Sequence, residues 1–258
     1  MTDKNQDAGR VIIITGGSTG IGRGMANYFG ERGFRVAILG RTRDTLDEAR
    51  AEVSKGGAEC LAFQADVSKR EDCFRAVQGA VDAWGKIDVL VNNAGAMQNV
   101  FATTPIDEAE KIFRNTLDVH LVGAFLMMMA AAPHLKRPGG KIVNISSIGA
   151  FMGGRRPGAG AYVAAKSGLN ALTFSWAREF GPQGITVNAI APGYFVTELN
   201  KALVENKDFS DWLCKRTPAG RWGNVEELVG AAIFLSSMAS NFVNGHVLMV
   251  DGGLTASV

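Results

Sequence analysis

Short runs of apolar, mostly β-branched residues recur along this chain, and stretches of helical length and period separate them. The runs 11–14, 36–39, 87–91, 142–145, 185–190 and 247–250 are mostly β-branched or otherwise apolar, and 61–63 adds a weaker strand, third in order. Runs that would be apolar on both faces belong in a sheet covered on both sides. Helical patterns occupy residues 21–32, 45–55, 70–84, 106–135, 162–180 and 225–236 between them. Parallel strands need long crossovers, and right-handed ones, so strict alternation leaves few topologies open. The expectation is a doubly wound, mostly parallel α/β sheet of seven strands, in one domain over 10–258 after a flexible tail at 1–9.

A chain of 258 residues can bury well over half of its unfolded surface and needs no staple. Acids and bases are interspersed for a net charge of +2, with no basic stripe, so no nucleic-acid partner is expected. Cys60, Cys73 and Cys214 are odd in number and lack metal or C-x-x-C spacing; they read as reduced thiols of a cytoplasmic protein, with no metal. Residues 1–10 are polar and carry no signal-peptide core, and the longest apolar stretch, 123–133, is too short to span a bilayer. No membrane partner is expected.

After the first strand comes Thr15-Gly16-Gly17-Ser18-Thr19-Gly20-Ile21-Gly22, and a helix follows. Glycines at a strand-to-helix junction let backbone approach a pyrophosphate, which the helix N-terminus then faces with free N–H groups. The spacing G-x-x-x-G-x-G is a variant of the dinucleotide fingerprint, and its position makes the domain Rossmann-type. Gly16, Ser18, Thr19, Gly20 and Ile21 are the phosphate-side candidates. An NAD site carries Asp or Glu at the end of the second strand for the ribose 2′-OH. Here Gly40-Arg41-Thr42-Arg43 stands instead, and Arg41 can pair with a 2′-phosphate, so NADP(H) is favoured over NAD(H). Arg43 reads as a solvated helix-start residue.

Tyr162-Val163-Ala164-Ala165-Lys166 opens a helical stretch, so phenol and ammonium share one helix face. A phenol titrates near ~10 unperturbed, and a neighbouring cation favours its ionised form, which makes it usable as an acid–base group. Ser146-Ser147 ends the preceding strand, where a hydroxyl could bind a carbonyl oxygen. With these residues the chain resembles the short-chain dehydrogenase/reductase family over residues 10–253: the glycine motif at 15–22, Asn92-Asn93-Ala94-Gly95, Ser147, Tyr162, Lys166, Pro192-Gly193 and the Asp251-Gly252-Gly253 ending. The resemblance implies adenine contacts at Asp66 and Val67, cofactor contacts at Asn93, Ala94 and Gly95, and a nicotinamide side at Pro192, Gly193, Phe195 and Thr197. It also implies reversible reduction of a carbonyl: NADPH gives hydride, Tyr162 the proton, Ser147 polarises the carbonyl, and Lys166 lowers the Tyr pKa and holds the nicotinamide ribose.

Two features depart from the family. His120 stands where the family has an asparagine that holds a water of a proton relay; it is open between a relay member and a core histidine. Ser147 and Tyr162 are two residues further apart than usual, the extra length falling at 153–158. Arg155 and Arg156 there can clamp a substrate carboxylate or phosphate, or merely be solvated. The C-terminal region is similar to gluconate and related sugar-acid dehydrogenases; 3-oxoacyl-thioester reductases, or a catalytically silent NADP(H) sensor, are the alternatives. The family resemblance further implies a small-molecule carbonyl or alcohol substrate and a homotetramer built through helices 106–135 and 162–180.

Overall fold

A computed structural model describes residues 8–154 and 157–257, so the expected tail over 1–7 and the two loop arginines, Arg155 and Arg156, lie outside the described residues. Strand β1 (Val11–Thr15) leads into α1 (Gly20–Glu31), β2 (Arg35–Gly40) into α2 (Arg43–Lys55), and β3 (Cys60–Gln64) into α3 (Arg70–Trp84). After β4 (Val89–Asn92), α4 (Ile106–Leu117) passes through a π-helical turn (Asp118–Val122) into α5 (Gly123–Ala131). Strand β5 (Lys141–Ile145) is followed by short α6 (Gly149–Met152) and long α7 (Gly160–Phe180). Strand β6 (Thr186–Pro192) precedes α8 (Lys201–Glu205), α9 (Lys207–Arg216) and α10 (Val225–Ser236), and β7 (Val247–Val250) completes the sheet.

The strand order is β3-β2-β1-β4-β5-β6-β7, and every pairing is parallel. Alternate side chains explain why the strands read as unbroken apolar runs. Ile12 and Ile14 of β1 enter the core under α1, α2 and α10, whereas Ile13 enters the one under α3, α5 and α7. Each such side chain contributes roughly 1.5–3 kcal/mol by leaving water. Strand β3 is weaker in the sequence because it lies at the edge, where Leu61, Ala62 and Phe63 are only half-buried. The chain winds outward in opposite directions from β1 and β4, so the crevice between their C-terminal ends is the switch point where such sheets bind ligands.

The helix expected over 106–135 runs as Ile106–His134 through the π-helical turn, which shifts the side-chain register and aims His120 inward. The run Ile106–His134 is, by length and composition, long enough to cross a membrane, unlike the shorter stretch 123–133. It nevertheless packs on α3 and α7 as a core element, with Gly123 so close to Val67 that a Cβ would lie 2.8 Å from Val67 Cγ2. At the end of the expected tail, the Gly9 N–H donates to Gly33 O at 2.9 Å.

Candidate active site

The glycine loop is fixed from across the crevice. Thr15 Oγ1 accepts the N–H groups of Asn93 and Ala94, both at 2.9 Å, and the Asn93 amide donates to Thr15 O at 2.9 Å and Gly16 O at 3.2 Å. Asn93, expected to touch the cofactor, thus has its amide engaged as a strut of the loop. A Cβ on Gly22 would collide with Gly16 O, and Gly16 and Gly20 have φ of +65° and +52°, so these positions require glycine. Thr19 precedes α1 without a side-chain cap, and the first turn holds no acid. The opening N–H groups and positive dipole end therefore face the crevice, which suits a pyrophosphate.

At the end of β2, a Cβ on Gly40 would lie 2.8 Å from Ser18 Oγ, so Ser18 and Arg41 adjoin the same junction. Arg41 is exposed there, while Arg43 is paired with Asp47 at 2.8 Å. Asp66 Oδ1 accepts the Ser68 N–H at 3.0 Å and hydroxyl at 2.7 Å, shaping the turn into α3. The main pocket, about 330 Å³, runs from Gly16, Thr19, Gly20 and Ile21 past Gly95, Pro192, Gly193 and Thr197. Ser18, Arg41, Asp66, Val67 and Ala94 do not line it. The Phe195 ring is absent from it as well, because an apolar ring is better placed in the core, where it packs on Gly223.

Its floor brings together Ser147, Tyr162, Lys166 and His120. Ser147 Oγ accepts the Gly149 N–H at 3.0 Å, and its side chain acts to lower the pKa of the Tyr162 phenol. Lys166, one turn further along α7, donates from Nζ to Ile145 O at 2.6 Å and lies 5.7 Å from the Tyr162 ring centroid. Burial raises the phenol pKa of Tyr162; the Ser147 side chain opposes this and Tyr194 reinforces it. Burial pushes Lys166 down to about 7. Lys166 does not figure among the causes of the Tyr162 shift.

His120 is buried edge-on against Tyr162, with ring centroids 5.1 Å apart at 89°. Its Nε2 lies 2.7 Å from Ala96 O, and burial, followed by the Lys166 charge, pushes its pKa down to about 3. A neutral ring donating from Nε2 leaves Nδ1 as an acceptor, and that atom is buried without a protein partner. Behind it lies a cavity of about 10 Å³ lined by His120, Lys166, Asn92, Val67 and Ala94.

The outer end of the pocket carries Met97, Met152, Val163, Tyr194 and Asn200, none of them anticipated as site residues. Gly154 also lines it, next to the two arginines outside the described residues. Tyr194 follows Gly193 directly, and the density of aromatics over 194–222 was the one cue in the sequence.

A phosphate-binding loop leading to a hydroxyl, a phenol and a buried ammonium defines a dinucleotide-dependent oxidoreductase. Residues 16–255 match the family model described as enoyl-(acyl carrier protein) reductase. The chain belongs to the short-chain dehydrogenase/reductase family. It is 41% identical over 253 residues to a gluconate 5-dehydrogenase of Gluconobacter oxydans (strain 621H), covering 97% of this chain and 96% of the relative. A 5-keto-D-gluconate 5-reductase of Escherichia coli (strain K12) is 40% identical over 259 residues and covers 100% of both chains. Among solved structures, a gluconate 5-dehydrogenase from Burkholderia cenocepacia J2315 in complex with NADP and tartrate superposes with a TM-score of 0.87 at 40% identity, covering 97% of each chain.

Proposed function

We propose that this protein is an NADP(H)-dependent oxidoreductase that interconverts a ketone and a secondary alcohol on a sugar acid of the 5-keto-gluconate type. The observation that carries the reaction is the convergence of Ser147, Tyr162 and Lys166 on the pocket that the glycine loop also lines. Full-length likeness to gluconate 5-dehydrogenase and 5-keto-D-gluconate 5-reductase supports the substrate class.

When bound, NADPH supplies the hydride to the carbonyl carbon. Ser147 and Tyr162 hold the carbonyl oxygen, and Tyr162 transfers its proton to the developing alkoxide. Lys166 holds the nicotinamide ribose and, with its proton affinity near neutrality, can resupply the phenol. His120 and Lys166 both line a small cavity with room for about one water, which suits a proton path from the lysine past a histidine that stays neutral. Arg41 and Ser18 grip the 2′-phosphate, with Asp66 and Val67 at the adenine. Gly16, Thr19, Gly20 and Ile21 take the pyrophosphate, while Ala94 and Gly95 back the ribose. Pro192, Gly193 and Thr197 take the nicotinamide. Arg155 and Arg156 clamp the substrate carboxylate.

The protein is further read as a cytoplasmic homotetramer. Phe125, Met129 and Phe174 stand 40–47% exposed on the face of α5 and α7, and Phe242 is fully exposed near β7. Such apolar area suits burial against other copies.

The assay is initial rates on 5-keto-D-gluconate, a β-keto thioester and a simple ketone, each with NADPH and NADH. The sugar acid with NADPH should give the highest kcat/KM. Tyr162→Phe should abolish turnover while NADPH still binds by fluorescence titration. Preference for the thioester or for NADH would reject the corresponding half of the reading.

A further inference from the structure

Tyr194 is held more firmly than a loop residue at a pocket mouth needs to be. Its carbonyl accepts the Gly223 N–H at 3.0 Å, and Val196 N–H donates to Gly223 O at 2.9 Å, so the segment is paired like a short strand. Its ring meets Phe209 of α9 at 5.7 Å and 65°, and Trp222 at 5.8 Å and 85°. Trp222 is itself fixed, because its indole N–H donates to Ser210 Oγ at 2.9 Å. Edge-on aromatic pairs of this kind favour a single ring orientation. The residue nevertheless lines the main pocket together with Ser147 and Tyr162. Its phenol is near enough to Tyr162 to strengthen that residue's hold on its proton.

Tyr162 addresses the carbonyl oxygen, and a second phenol lining the same pocket can address another oxygen of the substrate. At this outer end of the pocket stand apolar Met97, Met152 and Val163 and polar Asn200, whose amide N–H already donates to Phe195 O at 3.0 Å. A substrate hydroxyl entering this end needs a partner, since an unpaired polar group is costly to bury.

We infer that Tyr194 is a specificity-determining residue whose hydroxyl binds the hydroxyl next to the reacting carbonyl, so that the site selects α-hydroxy ketones. The inference rests on the sugar-acid reading above, in which hydroxyls flank the ketone. The aromatic box formed by Phe209 and Trp222 then acts as the rigid mount that makes the contact selective.

The test compares wild type and Tyr194→Phe on 5-keto-D-gluconate and on 5-oxohexanoate, which keeps the chain length, ketone and carboxylate but has no hydroxyls. Phenylalanine preserves the ring packing, and thermal melting with NADPH present checks that it does. On 5-keto-D-gluconate the variant should lose about tenfold in kcat/KM, the scale of one lost hydrogen bond. The loss on 5-oxohexanoate should be several-fold smaller. The pH limb belonging to Tyr162 should also move downward in the variant, because the group that strengthens its hold on the proton is gone. Equal losses on the two ketones, or no loss on either, overturn the assignment. If wild type fails to reduce 5-keto-D-gluconate at all, the sugar-acid reading falls first and takes this one with it.

Discussion

His120 shows how one side chain ties catalysis to acid stability. Its ordinary pKa is 6.5, and in the fold it is pushed down to about 3. Between those values the unfolded chain binds a proton that the folded chain refuses. Stability therefore rises with pH from about 3 to 6.5, at up to about 1.4 kcal/mol per pH unit from this residue. Carboxylates titrate over part of the same window, so the comparison must be with a variant. His120→Asn keeps a hydrogen-bonding side chain without a titrating ring, and its urea midpoint should fall less steeply from pH 6.5 to 4 than that of wild type. Identical slopes would mean that the ring accepts its proton in place.

On the proposed reading the junction of β2 with α2 selects the cofactor, and the structure adds a constraint that was hidden in the sequence. Arg41→Ala should weaken NADPH binding by about ten- to a hundredfold, the loss of one charge-assisted contact, and leave NADH nearly unchanged. Gly40→Asp alone should be a poor route to NADH, because its Cβ would lie 2.8 Å from Ser18 Oγ and 3.4 Å from Leu46 Cδ2. Adding Ser18→Gly removes the first obstacle, so the triple variant should prefer NADH more strongly than the pair at 40 and 41. KM ratios for the two cofactors check the order. Much of this scale could be read beforehand: buried strands such as β1 and β5 announce themselves by apolar runs, and the family motifs appear in chain order. What escaped was position without pattern. A π-helical turn leaves the composition of 106–135 unchanged, α6 is four residues long, and Tyr194 sits in a segment with no periodicity.

At the scale of the molecule, the outer faces are as informative as the crevice. Phe125 stacks on Trp176 with centroids 6.5 Å apart, so α5 and α7 present one continuous apolar surface. If the proposed tetramer forms through this face, Phe125→Glu should give smaller species than wild type in light scattering coupled to size exclusion, with little change in monomer fold by circular dichroism. A wild-type chain that elutes as a monomer would remove the basis for the tetramer.

The bonds from Asn93 to Thr15 and Gly16 join the two outward-winding halves of the sheet at the crevice. Only a chain whose halves have docked in register can present the glycine loop in its binding shape, so nucleotide affinity is itself a report of correct assembly. By mass action, a ligand at a hundred times its Kd stabilises such a state by about 2.7 kcal/mol. The cellular nicotinamide pool would then serve this protein twice, as coenzyme and as a ligand that holds the two halves of the sheet together.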